Sequence, residues 1–369
     1  MPPPPLADAA LAAHGPHPVP PLRAAVVGLG AVSRQHLACL NDLPGAVVVG
    51  VCDLSKAVAE STAERFGVAE HFTAHRAMLE AVSPDVVHVT TPLAAHFPVA
   101  VDALAAGAHV IVEKPIVTGE DELGQLIAEA ERRGRVLVEN YNYVFNTQLL
   151  AIAGLIESGA LGEVVHVDVD LALDILSPRS PFVDRNLSHP ALALPGGAVA
   201  DFLPHLASLV HALVGRHNSA EAQWSKRRPD SPLPFDDLRA LITAERGGAS
   251  ISFSATSQPD GFWLRVHGTR MRVEANLFSS EMTVKRLTGG PAPLGPIVNG
   301  LGEIRSIGHS AIADLWGKLR GAPGAYAGLW ELIGRTYGAI TIGGAPPVSP
   351  DQILEVNRLV ADLSEGAPA

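Results

Sequence analysis

The sequence has little of several features that mark special classes of protein. Its 369 residues include only two cysteines, Cys39 and Cys52, and neither stands in a CxxC or metal-ligand spacing. This excludes a disulfide framework and predicts two small buried side chains in a reducing compartment, the cytoplasm. No run of five like charges occurs and the net charge is −11. An acidic surface without a basic stripe argues against nucleic acid as the main partner.

Long apolar runs are also missing. No run reaches the roughly 18–20 residues that a membrane helix needs, so we expect no membrane partner. Residues 1–22 are rich in Pro and Ala but lack a basic segment followed by an apolar one. They predict a flexible leader rather than a secretory signal, and an arm onto a neighbouring subunit is the alternative. The remaining chain is long enough for two domains.

The first half of the chain alternates between short apolar runs and helical patterns. The runs fall at 24–27, 47–52, 85–90, 109–112 and 135–138. This alternation predicts an α/β fold with a doubly wound parallel sheet, here a dinucleotide-binding Rossmann domain at 23–142. Ligands of such sheets bind beyond the carboxyl ends of the strands. The residues that directly follow the predicted strands are polar or glycine: Gly28, Asp53, Thr91, Glu113 and Glu139.

After residue 143 the pattern changes to a period of two. Apolar and polar residues alternate through 165–174, which indicates a strand with one wet face. Six more strand patterns follow with short turns, so we predict an open-faced, largely antiparallel sheet in an α+β domain at 143–345. Helical patterns cover 326–342 and 351–363, and we predict that 346–369 packs back on the Rossmann domain. The Gly- and Pro-rich residues 288–308 carry no assignment.

A glycine-rich turn connects the first predicted strand to the first helix. Its sequence is GLGAVS at 28–33, in which Ser33 takes the third small position of the GxGxxG pattern. Glycine lets the backbone approach a pyrophosphate, and the helix N-terminus supplies N–H groups. Asp53 follows the second strand, where an acidic residue accepts hydrogen bonds from ribose and repels a 2′-phosphate. We therefore expect NAD rather than NADP, although Asp53 as a helix N-cap is the alternative.

Three further motifs follow in order: TTPLAAH at 90–96, EKP at 113–115 and GGAVADFLPH at 196–205. In this order and at these separations they resemble the glucose–fructose oxidoreductase and inositol dehydrogenase (Gfo/Idh/MocA) family. The resemblance covers residues 23–363 and implies a Rossmann domain followed by an open-faced sheet that mediates dimers or tetramers. It implies that Lys114, Asp201 and His205 face the nicotinamide together. The expected cofactor-binding residues are Gly28, Gly30, Ala31, Val32, Asp53, Thr91, Pro92, His96, Glu113 and Lys114.

The residues themselves suggest a chemistry for these three positions. A lysine at a strand's carboxyl end lies at the ligand edge of the sheet, where its ammonium can stabilise an oxyanion. Histidine titrates near neutral pH, so we predict that His205 is the general acid/base and that Asp201 orients it or binds a substrate hydroxyl. Each has a structural alternative: a surface lysine, a helix N-cap at Asp201 with the helix starting at 202 or 203, and a core histidine.

Other positions bear on the substrate. Leu93, Ala198 and Ser208 depart from the family pattern, and Ser208 stands where many members carry an aspartate. The expected substrate-binding residues are Asn142, Tyr143, Arg179, Arg185 and His189. The two arginines suit a carboxylate or phosphate, or are solvated loop charges. The polar residues His166, Asp168, Asp170 and Asp174 alternate along one strand and do not converge, so no metal site is expected.

Together these features predict an NAD-dependent oxidoreductase that acts on a CH–OH or C=O carbon of a sugar, polyol or sugar derivative. We expect a homodimer or homotetramer. An NADP-dependent keto-sugar reductase and a catalytically silent nucleotide-binding regulator are the alternatives.

Overall fold

The computed structural model describes residues 20–177, 196–231, 233–286, 294–319 and 326–365. Their contacts divide the chain into two units. The first contains the chain up to Tyr141 together with Leu329–Leu354, and the second contains Asn142–Gly328 and the chain from Glu355 onward. The predicted leader, apart from residues 20–22, lies outside the described residues. The structure thus assigns the predicted C-terminal segment 346–369 partly to each unit.

The elements are named here in chain order. The strands are β1 (Leu22–Val27), β2 (Ala46–Cys52), β3 (His71–Phe72), β4 (Val86–Val89), β5 (His109–Val112), β6 (Leu137–Glu139), β7 (Val164–Ala172), β8 (His217–Ser225), β9 (Asp237–Ala244), β10 (Gly247–Ser254), β11 (Gly261–Gly268), β12 (Met271–Asn276) and β13 (Met282–Arg286). The helices are α1 (Ser33–Asp42), α2 (Lys56–Phe66), α3 (His75–Val82), α4 (His96–Ala105), α5 (Glu120–Arg133), α6 (Thr147–Glu157), α7 (Gly197–Val214), α8 (Leu294–Leu319), α9 (Ala327–Ile342) and α10 (Pro350–Ser364).

The first unit is built on a six-stranded sheet in the order β3-β2-β1-β4-β5-β6, in which every neighbouring pair is parallel. The central strands are buried over Ala24–Val27, Val86–Val89 and Val110–Val112, as largely apolar sequences predict for strands covered on both faces. Because all strands run the same way, their carboxyl ends lie at one edge. The predicted doubly wound Rossmann sheet is confirmed.

The second unit contains a seven-stranded sheet in the order β13-β12-β11-β7-β10-β9-β8. Strands β7 and β10 are parallel, and the other neighbours are antiparallel. The alternation in β7 places Val167, Val169 and Leu171 in the core, which α7 covers. The residues between them face the open side, where Asp168 accepts from Ser250 and lies 3.0 Å from His267 Nε2. The predicted open-faced, largely antiparallel sheet is confirmed.

Three elements differ from the sequence-based expectations. The short edge strand β3 was not predicted, and α8 occupies much of the region that carried no assignment. Helix α7 begins at Gly197, not at residue 202 or 203, and Pro204 lies inside it. Gly196 has a φ of +79°, a conformation suited to glycine, and stands at the N-cap. The N-cap alternative for Asp201, with a helix starting at 202 or 203, is therefore wrong.

Helix α7 also bears on the expectation that no segment is long and apolar enough to cross a membrane. Its 18 residues pass that test by length and composition, and 67% of this window is buried inside the structure. Mostly buried core helices pass the same test, so the finding is weak evidence for a membrane span.

Both cysteines are buried, as predicted. Cys39 lies in α1 and Cys52 ends β2, with exposed fractions of 2% and 3%. Burial, with a smaller contribution from Asp42, raises the pKa of the Cys39 thiol to about 12. Burial and the neighbouring Asp53 raise the pKa of Cys52 to about 11. Both thiols therefore stay protonated at neutral pH and act as small core residues.

Candidate active site

The glycine-rich turn lies at the carboxyl end of β1. Gly28 has a φ of +87°, and a Cβ placed there would lie 2.6 Å from the backbone N and Cα of Thr91. Only glycine fits, because the turn after β1 passes directly against the turn after β4. At Gly30, by contrast, an added Cβ would enter open space, with no atom within 4 Å. Gly30 and Ala31 are exposed and Val32 half-buried, so the turn before α1 is accessible to a phosphate group.

Asp53 accepts a hydrogen bond from the backbone of this turn. Its Oδ2 accepts a hydrogen bond from the backbone N–H of Leu29 at 2.9 Å, and its Oδ1 accepts from Ser55 N–H at 2.9 Å. The N-cap of α2 is Ser55, whose hydroxyl accepts from Val58 N–H. The N-cap alternative for Asp53 is thus wrong. A carboxylate has about four acceptor positions, so Asp53 retains capacity for ribose hydroxyls while it holds the glycine turn.

His96 joins two turns at the same edge of the sheet. Its Nε2 lies 2.8 Å from the carbonyl oxygen of Thr91, and its Nδ1 lies 2.8 Å from that of Pro115. The residue is 2% exposed, and both ring nitrogens lie within hydrogen-bond distance of backbone carbonyl oxygens. The hydroxyl of Thr91 is buried, with no hydrogen-bond partner among the described residues. Pro92 is exposed beside it. In the structure His96 therefore connects the turn after β4 to the turn after β5.

Lys114 follows β5 directly, and its peptide bond to Pro115 is cis. The preceding Glu113 turns its carboxylate inward: Oε1 lies 2.9 Å from His36 Nε2 and accepts from Asn140 Nδ2 at 2.5 Å. Burial works to raise the pKa of Glu113, but the hydrogen bonds from His36 and Asn140 and the nearby Lys114 charge hold that pKa below its ordinary value. Glu113 is therefore an anion, and its carboxylate forms hydrogen bonds with buried side chains of the first unit.

The second unit carries the other proposed chemical groups. Asp201 and His205 lie four residues apart in α7 and so on one face, as predicted. The ring of Tyr143 meets that of His205 edge-on, with centroids 4.9 Å apart, and meets Phe262 at the same distance. Burial, with a smaller contribution from Tyr326, raises the pKa of Tyr143 to about 12. Its phenol therefore remains a hydrogen-bond donor at neutral pH.

Two other positions in this unit concern the substrate. Ser208 is 2% exposed, and its hydroxyl donates a hydrogen bond to the carbonyl oxygen of His205 in the same helix at 3.0 Å. Asn142 is buried, and its Oδ1 has no partner among the described residues. Arg179, Arg185 and His189, which were predicted to bind substrate, lie outside the described residues.

The buried residues that are linked to Glu113 by hydrogen bonds were not predicted from the sequence. His36 and His88 are completely buried, and Tyr337 in α9 is 4% exposed. The sequence held one signal, because His88 interrupts the otherwise apolar strand β4 and a buried histidine needs partners. Nothing in the sequence pairs it with Tyr337, which lies 249 positions further on.

Comparison with known proteins assigns the chain to a family. Residues 22–141 match the model of the oxidoreductase family with an NAD-binding Rossmann fold, GFO_IDH_MocA, and residues 149–274 match the GFO/IDH/MocA C-terminal domain. A dTDP-3,4-didehydro-2,6-dideoxy-alpha-D-glucose 3-reductase from Streptomyces violaceoruber is 31% identical over 53% of this chain and 55% of its own length. The D-glucoside 3-dehydrogenase of Escherichia coli K12 is 33% identical over 39% and 41%. The chain thus matches about half the length of these relatives.

Solved structures of similar fold cover nearly the whole chain. A levoglucosan dehydrogenase in complex with NADH and levoglucosan has a TM-score of 0.75 and 20% identity, covering 94% of this chain and 97% of its own. GenD2 from gentamicin A biosynthesis, in complex with NAD, has a TM-score of 0.68 and 23% identity, with 96% of both chains covered. At these identities the likeness shows the fold. Both domain models and the fold agree, and the chain belongs to the Gfo/Idh/MocA oxidoreductase family.

Proposed function

We propose that the protein is an NAD-dependent oxidoreductase that acts on a CH–OH or C=O carbon of a sugar, polyol or sugar derivative. The observation that carries the proposal is the placement of Lys114 at the same carboxyl edge of one parallel sheet as the Gly28 turn and Asp53. Bound NAD supplies the hydride acceptor at its nicotinamide ring. Relatives whose names include a glucoside dehydrogenase and an apiose dehydrogenase support the substrate class.

In this proposal the first unit holds the cofactor and one charge. The exposed turn at Gly30–Val32 and the N-terminus of α1 bind the pyrophosphate, and Asp53 accepts from the ribose hydroxyls. The Thr91 hydroxyl contacts the cofactor beside Pro92, while His96 keeps the two turns in register. The Lys114 ammonium stabilises negative charge on the substrate oxygen as its proton leaves.

The second unit supplies proton transfer and substrate contacts. His205 removes or returns the hydroxyl proton, and Asp201 on the same face of α7 orients it or binds a neighbouring hydroxyl. The Tyr143 ring fixes the plane of the His205 ring. The Tyr143 phenol donates to a sugar oxygen, and the Asn142 Oδ1 accepts from a sugar hydroxyl. That Lys114, Asp201 and His205 act on one carbon stays a prediction. Activity assays on a panel of candidate substrates, with a single substitution at each of the three positions, test this prediction.

We predict that Asp53→Asn lowers the preference for NAD over NADP by about 10-fold or more in kcat/KM, since the charge that repels a 2′-phosphate is gone. Asparagine keeps one acceptor for Leu29 N–H or Ser55 N–H, so the turn loses less than it would with alanine. Steady-state rates with both cofactors measure the ratio. A wild-type protein that already prefers NADP overturns the assignment of Asp53 and favours the keto-sugar reductase.

The substrate class is tested with a panel of sugars, polyols, sugar acids and nucleotide-linked sugars, followed by the absorbance of reduced nicotinamide. We expect turnover with at least one member in the presence of NAD. If NADH binds with ordinary affinity but no member reacts in either direction, the silent regulator becomes the better description.

We further propose that copies of the chain associate through the open face of the second sheet and that the protein acts in the cytoplasm. Leu241 on β9 is 66% exposed and pairs with Ser250, which places it on that face beside Asp168. Light scattering should give the mass of a dimer or tetramer, and Leu241→Asp should lower it. A wild-type monomer contradicts the association.

A further inference from the structure

A line of buried polar side chains runs through the first unit and ends at Glu113, the residue before Lys114. His36 Nδ1 lies 2.8 Å from His88 Nδ1, and His88 Nε2 lies 3.0 Å from the Tyr337 hydroxyl. At its other end, His36 Nε2 reaches Glu113, which Asn140 also contacts. The line thus connects α9, β4, α1 and the ends of β5 and β6. Polar groups buried this deeply are costly unless they are paired, and here His36, His88 and Tyr337 pair with one another and with Glu113.

The protonation state of His88 limits the hydrogen-bond directions along this line. Burial, with His36 as a second cause, holds the pKa of His88 well below its ordinary value, and burial chiefly raises that of Tyr337. A neutral His88 has one donor and one acceptor nitrogen. If the Tyr337 O–H donates to His88 Nε2, then His88 Nδ1–H donates to His36 Nδ1, and His36 Nε2–H donates to Glu113. Reversing the first two bonds requires a doubly protonated His36, and the bond to Glu113 still stands.

We propose that His36, His88 and Tyr337 are positioning residues that act through Glu113 to hold Lys114 in its working place relative to the phosphate-binding turn. Glu113 is the residue before Lys114, and His36 lies on the helix whose N-terminus follows the glycine turn. One polar line therefore fixes both the lysine-bearing strand end and the helix behind the cofactor. The functional part of this proposal rests on the proposed role of Lys114.

The same region offers a matched control on α9. Thr336, the neighbour of Tyr337, is completely buried and donates to Leu332 O within its own helix at 2.8 Å. Tyr337→Phe and Thr336→Val each remove one buried hydroxyl from the same helix, but only the first hydroxyl belongs to the line. A role limited to stability predicts similar behaviour for the two variants.

The readout is the environment of Lys114 in the full chain with NADH bound. The sequence has only five lysines, so reductive methylation with ¹³C-formaldehyde yields a sparse NMR spectrum. The Lys114 resonance is assigned by its loss in Lys114→Arg. We expect Tyr337→Phe to move this resonance and leave the other four in place, and Thr336→Val to move none. An unmoved Lys114 resonance in Tyr337→Phe overturns the proposal.

Kinetics give a second readout once a substrate is found. We expect Tyr337→Phe to lower kcat by about 10-fold with a smaller change in the KM for NAD, since the glycine turn is also held by Asp53 through the Leu29 N–H. His88→Leu interrupts the line at its centre. Where this variant folds, we expect a larger fall in kcat than in Tyr337→Phe. Equal kcat in Tyr337→Phe and Thr336→Val contradicts the proposal. A panel without any substrate instead defeats the proposed function, and the NMR result still decides the positioning role.

Discussion

Lys114→Ala is expected to lower kcat/KM by about 10²–10³-fold while NADH still binds. The reason is that the substrate oxygen carries negative charge once its proton leaves, and losing one group that stabilises such charge has costs of this size. The lysine follows β5 and is separate from the turn at Gly28 that is proposed to bind the pyrophosphate, so cofactor affinity should change far less than the rate. Steady-state kinetics with the panel substrate and fluorescence titration of NADH measure the two quantities separately.

Two further lysine variants make this result specific. Lys56→Ala is the surface control, because that side chain is 74% exposed and pairs only with Glu60 in its own helix among the described contacts. We expect it to behave as wild type. Lys114→Arg keeps the charge but replaces a compact ammonium with a broad planar group, so we expect little recovery. Full activity in Lys114→Ala would remove the lysine from the mechanism.

Gly28→Ala should unfold or strongly destabilise the first unit. Its Cβ would lie 2.6 Å from the Thr91 backbone, and the positive φ is strained for any residue with a Cβ. Since the opposing atoms are backbone, the two turns must separate. We expect a loss of a few kcal/mol in the free energy of unfolding and loss of NADH binding. Denaturant titration and NADH fluorescence are the measurements.

Gly30→Ala separates the fold from the cofactor site at the same turn. No atom lies within 4 Å of the added Cβ, so the free energy of unfolding should stay within about 0.5 kcal/mol of wild type. NADH affinity should still fall, because in the proposed site the pyrophosphate approaches the backbone at this glycine. If both variants lose stability equally, the close approach at Gly28 is not what selects glycine.

The alternation of apolar runs and helices was sufficient to predict the first unit. Strands buried on both faces need continuous apolar sequences, and glycine marks their turns, so local chemistry and fold agree there. The second sheet was predictable for a related reason, since a strand with one open face alternates strictly. The start of α7 was missed because Pro204 suggested a helix beginning nearby, whereas the chain starts the helix at Gly197 and buries the proline within it.

The sequence by itself determined the parallel sheet, the glycine turn, the edge where Asp53 and Lys114 lie, and the family motifs. Each of these depends on residues that are close in sequence or on a repeating period. Only the tertiary structure decided that Asp53 holds Leu29, that the His96 ring is occupied by two backbone carbonyls, and that Glu113 faces inward to His36. Those partners come together only when strands pair and helices pack, because a hydrogen bond depends on distance in space and leaves no regular spacing in the sequence.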